Sequence, residues 1–198
     1  MARHSLQAVR HLASRWVLTL GVRAGVTMTA AGSTIDYGSS YIDLRGKLPS
    51  KDGMEYRRRD PSEIEGIVWH HSATSGKTIR SIAEYHTQAK GWPEIAYHYA
   101  VGYDGRIYRL LDESKWSNHA SGHNRRTIGI VLVGNYHENE PTEAMVSAAA
   151  RLQEDICDGH AIKYVWLHME TKATDCPGRF AAPALRPIQF GPKPHELR

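Results

Sequence analysis

Short apolar runs bounded by turn residues recur between residues 64 and 167. Runs of this length, flanked by glycine or polar clusters, predict buried β-strands. We predict strands at 64–71, 96–101, 106–111, 127–134 and 162–167. Tyr103-Asp104-Gly105 separates the second run from the third, so these two strands should form a hairpin. The run at 127–134 is the most apolar, which predicts a central strand.

Two other segments repeat apolar residues at spacings of three and four, the period of an amphipathic helix. The first follows Thr78, a good N-cap residue, and ends at Gly91. The second runs from about Thr142 to Cys157, and a shorter helix is expected after Pro177. Because helices and strands alternate along the chain, the sequence predicts an α/β fold in which helices flank a mixed central sheet.

Residues 1–35 have a different pattern, with apolar residues at helical spacing, four arginines and no acidic residue. Such a basic amphipathic arm suits contact with an anionic membrane surface, and a weakly ordered extension is the alternative. A secretory signal is a further interpretation, but Arg23 interrupts its apolar core. We divide the rest of the chain into a lead-in segment with little regular structure, one folded domain and a proline-rich tail, at residues 36–63, 64–186 and 187–198.

The composition is that of a globular protein, since 41% of the 198 residues are hydrophobic and 23% are charged. The net charge of +4 is concentrated in the arm, because residues 61–198 hold 15 lysines and arginines against 16 acidic residues. A nucleic-acid-binding face normally belongs to the folded domain, so this distribution argues against nucleic acid as a partner. Two cysteines do not make a disulfide framework.

Candidate metal ligands stand where predicted strands end. His70 and His71 close the first strand, and His168 closes the last, with Cys176 following it. Zinc favours neutral imidazole and thiolate, and a catalytic zinc keeps one position open for water. Because neighbouring side chains on a strand point to opposite faces, His70 and His71 should not both bind one ion. The spacing does not choose between a metal site and the simpler alternatives, which are core histidines and a cysteine that is buried or paired with Cys157.

Five short motifs occur in order over residues 64–180: Trp69-His70-His71-Ser72, Gly91-Trp92-Pro93, Asn118-His119-Ala120, Thr127-Ile128-Gly129-Ile130 and, after His168, Thr174-Asp175-Cys176-Pro177-Gly178. Each motif alone is weak, whereas their combination is specific. Together they resemble the zinc-dependent N-acetylmuramoyl-L-alanine amidase family, which includes phage endolysins and the peptidoglycan recognition proteins. The resemblance implies a single domain of the amidase and peptidoglycan-recognition type.

The resemblance also implies specific roles for five residues. His70, His168 and Cys176 would bind one Zn²⁺ ion. Tyr97 would lie beside the metal, and Thr174, two residues before the cysteine, would be catalytic or orient the substrate. The implied reaction is hydrolysis of the amide bond between N-acetylmuramic acid and L-alanine in peptidoglycan, with the metal activating water. Members with the cysteine resemble the active enzymes, so Cys176 favours catalysis over the alternative, a module that binds peptidoglycan without cutting it.

The residues for substrate contact and proton transfer are less well defined by the motifs. We predict that Trp116, Asn118, His119 and Glu94 bind the substrate, and a structural role in its loop is the alternative for His119. Glu94 and Lys172 are the candidates for proton transfer to the leaving amine. Three other histidines are interpreted as packing residues: His71, His86 and His98.

Peptidoglycan is therefore the expected partner, and the bacterial cell wall or periplasm is the expected place of action. We expect a monomer. A phage-encoded protein released by lysis and a bacterial enzyme with a weak N-terminal export signal both fit the sequence.

Overall fold

The computed structural model describes residues 41–197, so the predicted arm at residues 1–35 lies outside the described part of the chain. Within that part, six strands form one sheet in the order β1-β4-β3-β5-β2-β6. The strands are β1 Tyr41–Asp43, β2 Gly66–His71, β3 Tyr99–Val101, β4 Ile107–Arg109, β5 Thr127–Leu132 and β6 Tyr164–Leu167. The paired strands are parallel except β3 and β4, which form the predicted hairpin. The predicted α/β class with a mixed sheet is confirmed.

Helix α1, Ile79–Glu84, begins where the sequence predicts. The hydroxyl of Thr78 accepts a hydrogen bond from Ser81 N at 3.2 Å, which satisfies one of the free amides of the first turn. A π-helical turn, Tyr85–Ala89, continues the helix towards its predicted end near Gly91.

Helix α2, Glu143–Gly159, is also capped as predicted, since the hydroxyl of Thr142 accepts from Met145 N at 3.1 Å. Two short helices follow, α3 His168–Thr171 and α4 Ala181–Leu185. Short 3-10 turns occupy Pro61–Glu63, Arg186–Ile188 and Pro194–Leu197. Among the helices of residues 41–197, none has the length and apolar character needed to cross a membrane.

The two faces of the sheet pack against different parts of the chain. Ile67 and Trp69 of β2 belong to the larger core, which also contains the buried stripe of α2. Val68 points to the opposite face and packs in a separate cluster with Trp166 of β6. Because side chains alternate along a strand, His70 follows Val68 onto this second face. The candidate ligand on β2 is therefore on the side of the sheet away from α2.

The lead-in segment contains more structure than the sequence predicts. Its strand β1 pairs in parallel with β4 at the edge of the sheet. Arg59, the last residue of the run Arg57-Arg58-Arg59, is only 5% exposed. A three-residue strand is too short for its side-chain alternation to be recognised in a sequence, which explains why β1 was not predicted.

The proline-rich tail packs against β6. Phe190 O accepts a hydrogen bond from Val165 N at 2.9 Å, and Pro192 O accepts one from Trp166 Nε1 at 2.7 Å. These bonds tie the tail to the strand that leads into His168. The tail has no periodic hydrophobic pattern, so the sequence alone did not indicate this packing.

Candidate active site

The structure brings the three predicted ligands together. One ligand atom from each of His70, His168 and Cys176 lies within 4.8 Å of the other two. His70 comes from the end of β2, His168 from the junction of β6 and α3, and Cys176 from the loop after α3. Cys176 Sγ is 3.8 Å from His70 Nδ1. Residues far apart in the sequence thus meet at the edge where the parallel strands β2 and β6 end.

The protonation of the two histidines suits a divalent cation. Burial lowers the pKa of His168 to about 4 and holds the pKa of His70 well below its usual value, so both imidazoles are neutral at neutral pH. Both ring nitrogens of His168 are buried and have no hydrogen-bond partner among the described residues. Burial raises the pKa of the Cys176 thiol to about 11. Buried polar atoms without partners are costly, and a zinc ion would satisfy the ring nitrogen of His168 that has the lone pair.

The donor set also matches zinc chemically. Two neutral nitrogen donors and one sulfur donor are the ligand types that zinc prefers, and three protein ligands leave one tetrahedral position for a water or substrate. The residues present therefore fit a zinc ion of the catalytic type.

Backbone contacts hold Cys176 in place. Its carbonyl oxygen accepts from Met169 N at 2.8 Å, and its sulfur accepts from His71 N at 3.4 Å. The loop after α3 is thereby fixed to α3, which begins with His168, and to the end of β2, which carries His70. These bonds position Cys176 without depending on a bound metal.

The backbone that carries His168 is fixed by Glu170, which sequence reasoning missed. Its carboxylate accepts from Leu167 N at 2.8 Å and thus caps the first turn of α3. Gln189 and Lys193 of the tail donate to the same carboxylate. The tail therefore supports His168 through this residue. A glutamate three residues after the end of a strand is a recognisable capping signal, although Leu167 is not a usual cap residue.

The two predicted catalytic residues lie beside the ligands. The ring centroid of Tyr97 is 5.2 Å from that of His70. Burial raises the pKa of Tyr97, so the phenol keeps its proton and remains a donor. The hydroxyl oxygen of Thr174 accepts weakly from Cys176 N at 3.4 Å, which leaves the hydroxyl proton available for another acceptor. Both side chains are half-buried.

The structure places His119 behind His70 and away from solvent. Its side chain is only 6% exposed, and its Nδ1 is 3.1 Å from His70 Nε2. Little of its surface is accessible, so the contact of His119 with substrate stays a prediction beside the structural alternative. A loop histidine before a central strand carries no sequence signal that would distinguish these two positions.

The other predicted substrate-binding residues lie at or near the surface. Asn118 is exposed, and Trp116 is half-buried with the guanidinium carbon of Arg57 5.7 Å from its ring centroid. The carboxylate of Glu94 pairs with Lys115. Because Lys115 neutralises Glu94, that carboxylate is less suited to act as a free proton carrier at the metal. Their contact with substrate remains a prediction.

Three buried histidines have structural hydrogen bonds, as predicted. In each case Nδ1 accepts from a backbone amide: His71 from Tyr136 at 3.2 Å, His86 from Ala96 at 3.0 Å and His98 from Gly129 at 3.0 Å. Since these bonds use the ring to join neighbouring segments, the interpretation of these histidines as packing residues is confirmed.

Arg59 is the second residue that sequence reasoning missed. Its guanidinium donates to the carbonyl oxygens of Glu113, Asn124, Arg125 and Thr127, at 2.8 to 3.0 Å. These carbonyls belong to the two ends of the segment that contains Trp116, Asn118 and His119. Arg59 therefore joins the two ends of that segment. Nothing in the sequence distinguishes Arg59 from the exposed Arg57 and Arg58 beside it.

Comparison with known proteins identifies the family to which this fold belongs. The fold is that of the amidases and peptidoglycan recognition proteins. The family model for N-acetylmuramoyl-L-alanine amidase matches residues 60–179, and the chain belongs to this family. The match includes the three candidate ligands, Tyr97 and Thr174.

Two relatives and one solved structure illustrate the likeness. Peptidoglycan-recognition protein SC1a of Drosophila melanogaster is 31% identical over 122 residues, which make up 56% of this chain and 66% of that protein. The human N-acetylmuramoyl-L-alanine amidase is 36% identical over 108 residues, 50% of this chain and 18% of that protein. The chain thus spans just under two thirds of the first relative and a much smaller share of the second.

One structural neighbour is peptidoglycan recognition protein-LE, solved in complex with tracheal cytotoxin, a monomeric diaminopimelic acid-type peptidoglycan. It aligns with a TM-score of 0.68 at 23% identity, over 80% of this chain and 99% of that one. At this identity the likeness establishes the fold alone.

Proposed function

We propose that this chain is a zinc hydrolase that cleaves the amide bond between N-acetylmuramic acid and L-alanine in bacterial peptidoglycan. The observation that carries the proposal is the cluster of His70, His168 and Cys176, whose ligand atoms lie within 4.8 Å of one another. A binding module needs no such set, whereas a hydrolase needs three donors and a vacant position. Membership of the amidase family supports the same reaction.

The metal and the protein side chains would contribute different parts of the catalysis. Zinc held by His70, His168 and Cys176 would supply a Lewis acid for activating water and polarising the scissile carbonyl. The protonated phenol of Tyr97 and the free proton of Thr174 are the donors that we assign to the carbonyl oxygen, where negative charge develops. Loss of one donor of this kind costs about 100-fold or more in rate.

The leaving amine of L-alanine must gain a proton, and we assign this role to Lys172 in preference to Glu94. The positive charge of Lys172 is one of the smaller influences on the pKa of each of the three ligands, so this cation lies near the site. Glu94 is engaged by Lys115. Lys172 is exposed at the end of α3, where it can exchange protons with solvent.

The substrate class follows from the family and from the surface near His119. Recognition proteins among the relatives and a neighbour solved with a peptidoglycan fragment support peptidoglycan as the partner. We assign Trp116 and Asn118 to the wall of the substrate groove, because they are accessible and belong to the segment that Arg59 holds. Lysis of cell walls in the manner of an endolysin is the biological role that we propose.

Metal analysis together with an amidase assay tests the proposal. We expect about one zinc per chain, and release of peptide stems with free N-terminal alanine from purified cell walls. Cys176→Ala should lose both the zinc and the release of peptides. Cys157→Ala is the matched control, because Cys157 lies on α2, away from the cluster, and should retain both.

Two outcomes would contradict the proposed function. Zinc-free protein with full activity would exclude the metal mechanism. Wild-type protein that binds cell walls but releases no peptide stems would instead establish the alternative, a non-catalytic peptidoglycan-binding module.

For residues 1–35, we propose contact with an anionic membrane, on the basis of their basic amphipathic pattern. Deletion of these residues should leave activity on isolated peptidoglycan unchanged and reduce action on cells whose wall lies behind such a membrane. Equal action of both proteins on intact cells would exclude this role. The place of action at the cell wall or periplasm is proposed on the same basis as the substrate.

A further inference from the structure

We propose that His119 is a positioning residue that fixes the tautomer of His70, so that Nδ1 of His70 faces the metal and Nε2 carries the proton. This inference rests on the proposed zinc site. It assigns the buried histidine a role in preparing a ligand in place of the predicted contact with substrate.

The first step is the proton on His119 itself. Its Nε2 lies 3.3 Å from both the carbonyl oxygen and the hydroxyl oxygen of Thr127. The carbonyl can only accept. The hydroxyl donates its own proton to His123 O at 2.7 Å, so towards His119 it can only accept as well. Both partners of Nε2 are therefore acceptors, and Nε2 carries the hydrogen.

The second step is that the hydrogen on His119 Nε2 determines which nitrogen of His70 is protonated. A neutral imidazole with a hydrogen on Nε2 has a lone pair on Nδ1. His119 Nδ1 lies 3.1 Å from His70 Nε2, so His70 must donate from Nε2 to His119. The lone pair of His70 is then on Nδ1, the atom that is 3.8 Å from Cys176 Sγ. Thr127 thus determines, through His119, which nitrogen of His70 is free to bind zinc.

We call the hydrogen bonds from Thr127 through His119 to His70 the relay. It is rigid because each of these residues is buried and is fixed by further contacts. Thr127 is fully buried, and its carbonyl also accepts from Arg59 at 2.8 Å. The ring of His119 packs over the backbone of Gly129. Partners behind metal-bound histidines that fix the ring and the tautomer typically contribute 10- to 100-fold to metal affinity.

Zinc affinity of matched variants tests the relay. His119→Phe keeps the ring and removes the acceptor, and we expect zinc affinity to fall by about 10- to 100-fold in a chelator competition titration. His119→Asn keeps an acceptor oxygen near the position of Nδ1 and should recover part of that loss. His160→Phe is the control, since His160 is another buried histidine but bonds to Glu113 at 2.8 Å and to none of the ligands. It should change stability without changing zinc affinity.

A spectroscopic measurement tests the tautomer directly. In zinc-loaded protein labelled with ¹⁵N-histidine, we expect His70 to show a metal-bound Nδ1 and a protonated Nε2. A metal-bound Nε2 would overturn the inference, as would equal zinc affinity of wild type and His119→Phe. If the wild type binds no zinc, the proposed function fails together with this inference. If the wild type binds zinc and the variants bind it equally well, only the role of His119 fails.

Discussion

The imidazole ring of His119 lies directly over the backbone of Gly129 in β5. A Cβ atom at residue 129 would be 2.5 Å from His119 Cγ and 2.7 Å from His119 Nδ1. Contacts this short do not occur for carbon atoms in folded proteins, so the absence of a side chain at Gly129 provides the space for the ring. This glycine is therefore required for room on the ligand face of the sheet, in the middle of an ordinary extended strand.

Gly129→Ala should accordingly weaken zinc binding, although residue 129 is not a ligand. The added methyl group must displace the ring of His119 and disturb its hydrogen bond to His70. We expect about a 10-fold lower zinc affinity and a loss of about 1–3 kcal/mol in the free energy of unfolding from overpacking. Chelator competition and urea denaturation measure the two effects.

Gly66→Ala is the matched control for this prediction. Its Cβ would meet the ring of Tyr164 on the same face of the sheet, away from His119. It should therefore reduce stability and leave zinc affinity close to that of the wild type. Equal zinc affinities of Gly129→Ala and wild type would contradict the specific role of Gly129. Equal losses of zinc affinity in the two glycine variants would contradict it as well.

The sequence predicted the fold well where a physical signal was repeated over several residues. The strands β2 and β5 and the helix α2 each have a long apolar pattern. Thr78 and Thr142 predicted the starts of α1 and α2, and the structure contains both N-caps. These are local signals, since periodicity and capping depend only on nearby residues. The short edge strand β1 and the packed tail lacked such a pattern and were not predicted.

The candidate site was predictable only in part for the same reason. The alternation of side chains explained why His70 and His71 cannot share one ion, but the motifs of a known family were needed to select His70. The burial of His119 and Arg59 was not predicted, because their environments are created by segments far away in the sequence. A buried arginine that binds four carbonyls is identical in the sequence to the exposed arginine beside it.

Arg59→Met should strongly destabilise the protein. The methionine can fill part of the space, but the carbonyls of Glu113, Asn124, Arg125 and Thr127 would lose a shared donor in a buried place. Each buried carbonyl left without its donor costs about 1–3 kcal/mol. Urea denaturation followed by circular dichroism measures the change.

Arg58 provides the control one residue away. It is exposed and donates to the hydroxyl of Ser114 at 3.0 Å. Arg58→Met should change the free energy of unfolding by less than about 0.5 kcal/mol. If the two variants were equally stable, the network around Arg59 would have no structural importance. Arg59→Lys should recover little stability, because an ammonium group cannot reproduce the planar set of donors.

Zinc binding should release a proton from Cys176. Burial raises the pKa of this thiol to about 11, whereas the imidazoles of His70 and His168 are already neutral at neutral pH because burial lowers their pKa values. Since zinc binds the thiolate, the apparent affinity should rise about tenfold per pH unit around neutrality. Calorimetry in buffers of different ionisation enthalpy counts the protons released.

Cys176→Asp separates the thiol from the other groups in this experiment. A carboxylate ligand is largely ionised before zinc binds, so this variant should release about one proton fewer than the wild type. An affinity that is independent of pH between 6 and 8 in the wild type would contradict the prediction. Such a result would mean that the thiol is ionised before the metal arrives.

The buried histidines should make the fold sensitive to mild acid even without zinc. Burial lowers the pKa of His71 and His86 to about 4 and that of His98 to about 3, against about 6.5 in the unfolded chain. As the pH falls below 6.5, the unfolded chain takes up protons that the folded protein excludes. Their contribution to the free energy of unfolding is therefore fully present above pH 6.5. It decreases towards pH 4 by about 1.4 kcal/mol per pH unit for each such histidine.

Urea denaturation of Cys176→Ala at several pH values measures this effect without the contribution of zinc. Adding His86→Gln to that background should reduce the slope of the free energy of unfolding against pH by about one proton. Glutamine takes up no proton in either the folded or the unfolded state. Adding His195→Ala should leave the dependence unchanged, since that side chain is 76% exposed and outside the core. A free energy of unfolding that is constant between pH 7 and pH 5 would show that these histidines can be charged inside the folded protein, and their backbone hydrogen bonds would then need a different explanation.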